Sequence, residues 1–268
     1  SPAFVVGAVL SAALLLAAAL SYGWTPYSVL DIDTGARLLG PSAAHWLGTD
    51  AYGRDVATLL LLGARASILV GVIAVSIGLV IGTALGLLAA ALRGWVEEAI
   101  MRVADFGFAF PALLTAIMLT AVYGPGLVNA IVAIGIYNIP AFARITRAAA
   151  NAVWRRDYVL AARAAGKGRW AITWQHVLPN IAAVLIVQAT IRFAVAILAE
   201  AALSYLGLGT QPPQPSWGRM LAEAQTLMFE APLLAVWPGL AIALSVLGLN
   251  LLGDGLRDVL DPRLGRRG

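Results

Sequence analysis

Long apolar stretches with few charged residues recur along this sequence, and they limit the chain to a small set of folds. Crossing the ~30 Å hydrocarbon core of a bilayer takes ~20 mostly apolar residues, whose backbone amides must all be paired within the segment. Six stretches qualify, and they run approximately over residues 3–22, 66–92, 100–123, 126–147, 181–206 and 233–253. Because 60% of the 268 residues are hydrophobic and only 12% are charged, we predict an all-α membrane protein with six transmembrane helices.

Composition excludes several kinds of site. The chain has no cysteine, so disulfides, thiolate metal sites and cysteine nucleophiles are ruled out. Its two histidines, His45 and His176, are too far apart in sequence to indicate a metal site. The net charge of +4 is not concentrated in a soluble basic patch of the kind that binds nucleic acid. We therefore expect no metal, no cofactor bound by this chain and no nucleic-acid partner.

The distribution of lysine and arginine predicts the orientation in the membrane, because short cytoplasmic loops carry the positive excess. Between the fourth and fifth spans, seven basic residues face a single acid, Asp157: Arg144, Arg147, Arg155, Arg156, Arg163, Lys167 and Arg169. This loop is predicted to be cytoplasmic. Counting spans from it places both termini in the cytoplasm and the segments 23–65 and 207–232 outside. The alternative for the first span is a cleaved signal peptide, since it contains small residues at 17–19.

The predicted spans divide the chain into three parts. Residues 1–65 hold the first transmembrane helix and an outer loop. Residues 66–253 form the transmembrane core, which includes the cytoplasmic loop at 148–180 and the outer loop at 207–232. Residues 254–268 form a cytoplasmic tail, and its arginines agree with that placement.

The cytoplasmic loop has the pattern of a helix, a corner and a second helix. Spacing of i, i+3, i+4 and i+7 places four mostly small residues on one helical face: Tyr158, Ala161, Ala162 and Ala165. Gly166 can end this helix in a left-handed conformation, and Gly168 loosens the turn that follows. A second helix is predicted from Arg169 to His176. The loop is therefore expected to form a rigid lever that protrudes towards another protein.

These residues resemble the cytoplasmic signature of importer-type ATP-binding-cassette (ABC) permeases. The matching run is Ala161-Ala162, then Gly166, then His176-Val177-Leu178-Pro179, and Leu160 stands where the signature usually has glutamate. The resemblance implies a type I ABC importer permease fold with a cytoplasmic coupling helix that docks into a groove of the ATPase. The ATPase-coupling loop would then comprise Tyr158, Ala161, Ala162, Arg163, Ala165, Gly166, Lys167 and Gly168.

Two outer blocks are similar to one branch of this family, the dipeptide, oligopeptide and nickel permeases. They begin at His45-Trp46-Leu47-Gly48-Thr49-Asp50 and at Ala199-Glu200-Ala201-Ala202-Leu203-Ser204. The amino acids of these two blocks are more similar to the second of the two permease subunits than to the first. The resemblance implies import of dipeptides or oligopeptides, with nickel, glutathione and other small solutes left open.

The same resemblance implies a set of partners and a location. The partners are a homologous permease, two ATPase subunits that use ATP and Mg, an extracytoplasmic substrate-binding protein and the lipid membrane. The location is the plasma membrane of a bacterium. In this assembly the chain is a non-catalytic subunit. Its own candidate for a phosphate-binding loop, Gly166-Lys167-Gly168, has alanine at 161 where the motif needs glycine, and no serine or threonine follows Lys167.

Two charged residues within the fifth span are candidates for the translocation path or its gate. Arg192 lies about halfway through the predicted span, where a charge is costly and faces protein or water. It could attract a substrate carboxylate, or it could pair with a neighbouring helix or with Gln188. Glu200 lies nearer the outer surface and could belong to an outer gate. Its alternative role is helix packing through Ser204.

Other polar and small residues are interpreted as structural. Gly78, Gly82 and Gly86 form a stripe that allows close helix packing in lipid. Arg102 and Asp105 are expected to form a local ion pair. Residues 217–228 have the pattern of an amphipathic helix at the membrane interface, either as a lip of the outer vestibule or as a filler between spans. The aspartates of 23–65 do not fit an EF-hand, and this segment is expected to be a docking surface for the external binding protein.

Two other functional classes were weighed. A secondary transporter would show inverted repeats, broken helices and acidic residues in the membrane core, but the spans carry hardly any acid near their middle. A membrane-embedded enzyme would need a catalytic constellation within the spans, and the sequence contains none.

Overall fold

A computed structural model describes residues 2–109 and 112–260, and within these ranges the ordered elements are helices. The α-helices are α1 (Pro2–Gly23), α2 (Val56–Leu92), α3 (Gly94–Ala109), α4 (Ala112–Tyr123), α5 (Leu127–Trp154), α6 (Asp157–Ala164), α7 (Arg169–Ile172), α8 (Leu178–Tyr205), α9 (Trp217–Ala224) and α10 (Leu233–Leu260). Among them, α1, α2, α5, α10 and the continuous stretch from α7 to α8 are long and apolar enough to span a membrane. This confirms an all-α fold with five candidate spans, or six if α3 and α4 count as one.

The predicted third span, 100–123, is not one straight helix. The directions of α3 and α4 differ by 83°. The sequence has a proline at 111, and Phe110 and Pro111 lie outside the described residues. Proline lacks the N–H that a helix requires and clashes with the preceding turn, so the sequence itself disfavours a continuous helix here.

Helix α2 begins ten residues before the predicted start of the second span. Asp55 caps its N-terminus, since the carboxylate accepts hydrogen bonds from the backbone N–H of Thr58 at 2.8 Å and from its hydroxyl at 2.9 Å. Aspartate is a common N-cap residue, because its carboxylate can accept a hydrogen bond from the backbone N–H of the third residue that follows it. The cap therefore sets the start of α2 at Val56, within the predicted 23–65 loop.

The stripe of glycines on α2 packs directly on α5, as the spacing predicted. A Cβ atom at Gly78 would lie 2.3 Å from the Cβ of Asn138, and one at Gly82 would lie 2.5 Å from the carbonyl oxygen of Ile139. Gly86 approaches the backbone of Ala143 in the same way. The two helices run parallel and in close contact, so both end on the side that carries α6.

The predicted second helix of the loop after α5 is not a separate helix, which corrects the predicted range of Arg169 to His176. Helix α7 passes into a π-helical turn, Thr173–Val177, and then into α8 without a break. The wider turn precedes Pro179, whose ring would clash with a carbonyl in a regular helix. The result is one helical stretch, Arg169–Tyr205, that runs from the loop through the membrane.

Helices α1 and α10 pack against each other in opposite directions. A Cβ atom at Gly255 would lie 2.6 Å from the Cβ of Phe4, and one at Gly248 would lie 2.6 Å from the Cβ of Leu10. The first turn of α1 therefore lies beside the last turns of α10. Helices α1 and α10 can approach this closely because neither glycine carries a side chain.

The direction of α10 also shows on which side of the bundle the two ends of the described chain lie. Gly253, near its end, contacts Thr190 in the middle of α8, while the start of α10 follows the outer segment that holds α9. Helix α10 therefore runs towards the beginning of α8, which is joined to α6. The first turn of α1 and the end of α10 consequently lie on the same side of the bundle as α6.

Helix α9 forms where an amphipathic helix was predicted, and its apolar face is buried in protein, which agrees with the predicted alternative of a filler between spans. Trp217 and Met220 are buried in a cluster with residues of α1, α2, α8 and α10, and Ala224 is buried as well. The indole N–H of Trp217 donates to the carbonyl of Leu60 at 3.0 Å. Helix α9 thus fills the space between spans at the end of the bundle opposite α6.

Candidate functional site

Helix α6 protrudes from the bundle with most of its surface exposed. Its one buried residue is Val159, which is 1% exposed and packs in the main apolar core. Tyr158 and Leu160 are 45% and 51% exposed, and Ala161 is exposed as well. Val159 and the partly buried Ala162 therefore hold α6 on the bundle, while the other residues of the predicted small-residue face, Tyr158, Ala161 and Ala165, remain accessible.

Gly166 ends α6 in the left-handed conformation that the sequence predicted. Its φ is +81°, its N–H donates to the carbonyl of Arg163 at 3.0 Å, and the N–H of Lys167 donates to the carbonyl of Ala162 at 3.1 Å. These two bonds are the Schellman arrangement, which satisfies the last carbonyls of a helix. A side chain at Gly166 would meet no atom within 4 Å, so only the backbone conformation requires glycine.

Side chains brace the corner between α6 and α7. The Lys167 ammonium donates to the side-chain oxygen of Gln175 at 2.9 Å and lies 3.3 Å from Nε2 of His176. The rings of Tyr158 and His176 meet edge to face, with centroids 6.2 Å apart. A force on α6 would therefore reach the start of the long α7–α8 stretch through short, direct contacts.

The corner is strongly basic. Five exposed residues carry its positive charge: Arg155, Arg156, Arg163, Lys167 and Arg169. Asp157 is the only acid between 155 and 180. Opposite charges attract and steer partners, so the surface that surrounds α6 favours a partner with an acidic rim.

The first outer segment is folded onto the beginning of α2 by ion pairs. The Arg54 guanidinium pairs with Asp50 at 2.6 Å and with Glu223 at 3.0 Å, and Glu223 also accepts from Arg219 at 2.8 Å. His45 lies 3.0 Å from the Asp55 carboxylate. Within the described ranges no cluster of His, Asp or Glu fits a metal ion. Asp50 and Asp55 therefore hold this segment together.

Arg192 lies at the middle of the 28 residues of α8 and is half-buried. Its guanidinium lies beside the Tyr137 hydroxyl on α5. Sequence reasoning missed Tyr137, because nothing in the sequence links two residues so far apart. Gln188, the partner weighed from the sequence, is half-buried one turn earlier and makes no side-chain hydrogen bond to another described residue.

Glu200 is fully buried, near the C-terminal end of α8. Its carboxylate accepts from the Ser204 hydroxyl at 2.7 Å and from the Thr210 hydroxyl at 3.3 Å, and Ser204 in turn accepts from the N–H of Thr210 at 3.0 Å. These bonds tie the segment after α8 to the helix itself. The packing role through Ser204 is thus present in the structure, and a role in an outer gate remains a prediction.

The predicted pair between Arg102 and Asp105 is wrong. Arg102 pairs with Glu98 at 2.6 Å, and Asp105 pairs with Arg144 of α5. An acid four residues before a base is a favourable arrangement on a helix. Asp105 instead lies on the side of α3 that faces α5, so a partner from another helix is within its reach.

The helical bundle, with its corner between α6 and α7, has the fold of one class of membrane protein, the permeases of type I ABC importers. The fold resembles a solved chain of the MetNI methionine ABC transporter in an inward-facing conformation, with a TM-score of 0.63 and 20% identity. That match covers 76% of this chain and 97% of the solved one.

Sequence comparisons define the family within this class. Residues 82–266 match the profile of the binding-protein-dependent transport system inner membrane component. The chain is 48% identical to a glutathione transport system permease protein, GsiD, of Pectobacterium atrosepticum, over 84% of its own length and 75% of that protein. It is 43% identical to a dipeptide transport system permease protein, DppC, of Alkalihalophilus pseudofirmus, over 97% and 86%. The chain belongs to the binding-protein-dependent inner membrane permeases.

Proposed function

We propose that this chain is one of the two permease subunits of an ATP-driven importer of short peptides. It would form half of the translocation path and receive motion from a separate ATPase at α6. The observation that carries the proposal is the exposed, braced corner formed by α6, Gly166 and the start of α7. The exposed basic residues and the small-residue face of α6 are suited to contact with a protein partner. The family to which the chain belongs supports a role in import.

The geometry supports a specific route for the coupling. Helix α6 is connected to α5 on one side and to the continuous stretch Arg169–Tyr205 on the other. Movement of α6 would therefore shift two spans, and one of them carries Arg192 at its middle. A partner can drive this motion only if its contacts with α6 differ between the two states. The ATPases would supply that difference when they close on ATP and Mg and reopen.

The proposed assembly has a defined arrangement in a bacterial inner membrane. Helix α6 and both chain ends would lie in the cytoplasm, because the basic residues concentrate there. Two ATPase subunits would bind on this side, and a homologous permease would pack beside the chain within the membrane. An extracytoplasmic binding protein would dock on the outer segments 23–65 and 207–232. This chain would hold no cofactor and catalyse no reaction.

Short peptides are the proposed substrates. Among the relatives, one named a di/tripeptide transport system permease protein, DppC, from Pseudomonas aeruginosa is 50% identical over 85% of this chain. Glutathione, itself a tripeptide, is the alternative substrate, since GsiD proteins match as well. Both substrates offer a free carboxylate to the path.

Reconstitution tests this proposal. We expect proteoliposomes that hold both permeases and both ATPases to accumulate a labelled dipeptide only when the binding protein and ATP are supplied. Mild solubilisation should also recover the ATPases with this chain. Uptake by this chain alone, driven by an ion gradient, would contradict the proposal and favour a secondary transporter.

A further inference from the structure

Arg192 is the charged residue of the long spans that lies farthest from either end of its helix. It is half-buried at the middle of α8, among residues that are almost all apolar. A guanidinium at this depth is costly unless protein, water or an anion compensates it. The neighbours of Arg192 therefore show what kind of group it is arranged to meet.

The described part of the chain supplies no counter-charge for Arg192. Within residues 2–109 and 112–260, no carboxylate lies within 4 Å of its guanidinium, and every ion pair found there involves another base. Its Nε is buried without a hydrogen-bond partner among these residues. The neutral Tyr137 hydroxyl lies beside it. The Nε donor of Arg192 is thus unused among the described residues.

Two polar side chains, those of Gln188 and Tyr137, can act together with the guanidinium. Gln188 lies one turn earlier on the same face of α8. The side chain of Tyr137 also lines an apolar cavity of about 640 Å³ between α3, α4 and α5. Arginine, glutamine and tyrosine together offer several hydrogen-bond donors to one acceptor group. Such a set of donors is suited to an anion with two oxygen atoms.

We propose that Arg192, with Tyr137 and Gln188, binds the free carboxylate of the substrate as it crosses the membrane. The proposal rests on the proposed function, because it assigns a substrate group to that path. A planar guanidinium can donate two parallel hydrogen bonds to a carboxylate, and such charge-assisted bonds are strong. Arg192 would therefore select substrates with a free carboxylate over the same compounds as amides.

The competing explanation is a carboxylate of the second permease subunit. In that case Arg192 would be a structural partner at the subunit interface, and its replacement would loosen the assembly. The position at the middle of a span and the unused glutamine beside it favour a ligand that comes and goes. The two explanations differ in what a neutral side chain at position 192 would change.

Equilibrium binding of labelled alanyl-alanine to the assembled importer in nanodiscs, without the binding protein, tests the proposal. We expect unlabelled alanyl-alanine to compete and its C-terminal amide to compete at least about 10-fold less well. Arg192→Gln should weaken binding about 10-fold to 100-fold, the usual range for loss of a charged hydrogen bond. Arg192→Lys should give an intermediate affinity, and Tyr137→Phe a smaller loss.

Arg65→Gln is the matched control, because Arg65 is an exposed arginine on α2 that stacks on Tyr22 at 3.7 Å. It should bind the dipeptide as the unmodified importer does. Unchanged binding by Arg192→Gln, equal competition by the amide, or loss of the second permease from the Arg192→Gln complex would overturn the proposal. Uptake of the same dipeptide by the unmodified importer tests the proposed function separately. If that uptake occurs but any of these three results is obtained, the assigned role of Arg192 is wrong while the proposed function stands.

Discussion

Gly166→Val is expected to reduce ATP-driven uptake strongly while the chain still inserts and assembles. The φ of +81° at Gly166 is costly for any L-residue, by about 1–2 kcal/mol, and more so for a β-branched one. Valine would therefore favour another backbone conformation and rotate α6 away from the start of α7. We expect uptake in proteoliposomes to fall at least about 10-fold, because a partner would no longer move α6 and α8 together.

Gly124→Val is the matched control for this variant. Gly124 has a φ of +87° and, like Gly166, has room for a side chain. It lies between α4 and α5, at the end of the bundle opposite α6. It should show a similar local backbone penalty without loss of coupling. Uptake by Gly166→Val that equals uptake by Gly124→Val would show that the corner has no mechanical role.

Gly82→Leu is expected to destabilise the bundle itself. A Cβ atom there would lie 2.5 Å from the carbonyl oxygen of Ile139 and 2.6 Å from the Cβ of Phe142. Neither atom can yield without separation of α2 from α5. Overpacking typically costs about 1–3 kcal/mol, and the rest of the leucine side chain adds to this. We expect a lower thermal unfolding temperature in detergent and less folded protein in the membrane.

Gly239→Leu provides the comparison for this effect. Gly239 lies within α10, and a Cβ there would meet no atom within 4 Å. The two substitutions add the same side chain to a helical glycine, so any difference between them reports packing. Equal thermal stability of Gly82→Leu and Gly239→Leu would contradict the close crossing of α2 and α5.

Sequence periodicity was sufficient to predict the elements that depend on local chemistry. The glycine stripe of α2 was predicted because small residues at four-residue spacing share a helical face, and its contact with α5 is observed. The left-handed end of α6 was predicted because Gly166 follows a helical pattern. Asp55 also has the local sequence pattern of a helix N-cap, but this pattern was missed. Helix α2 therefore starts earlier than predicted.

Features that depend on distant contacts could not be predicted. The continuity of α7 with α8 depends on a π-helical turn before Pro179, which sequence patterns do not distinguish from a helix break. The link between Arg54 and Glu223 joins residues that are 169 positions apart. Asp105 and Arg144, which pair between α3 and α5, are likewise separated in sequence, by 39 positions. Tyr137 beside Arg192 could be found only from the packing of α5 on α8.

The most direct test of the account is a contact between α6 and the ATPase, measured by cysteine cross-linking. The chain has no cysteine of its own, so Ala161→Cys introduces a single thiol on the exposed face of α6. We predict that this thiol reacts with a membrane-impermeant maleimide only from the cytoplasmic side. Added ATPase should protect it, and a short bifunctional reagent should cross-link it to the ATPase. Labelling from the outer side, or labelling that the ATPase does not alter, would contradict the assignment of α6 as the point of coupling.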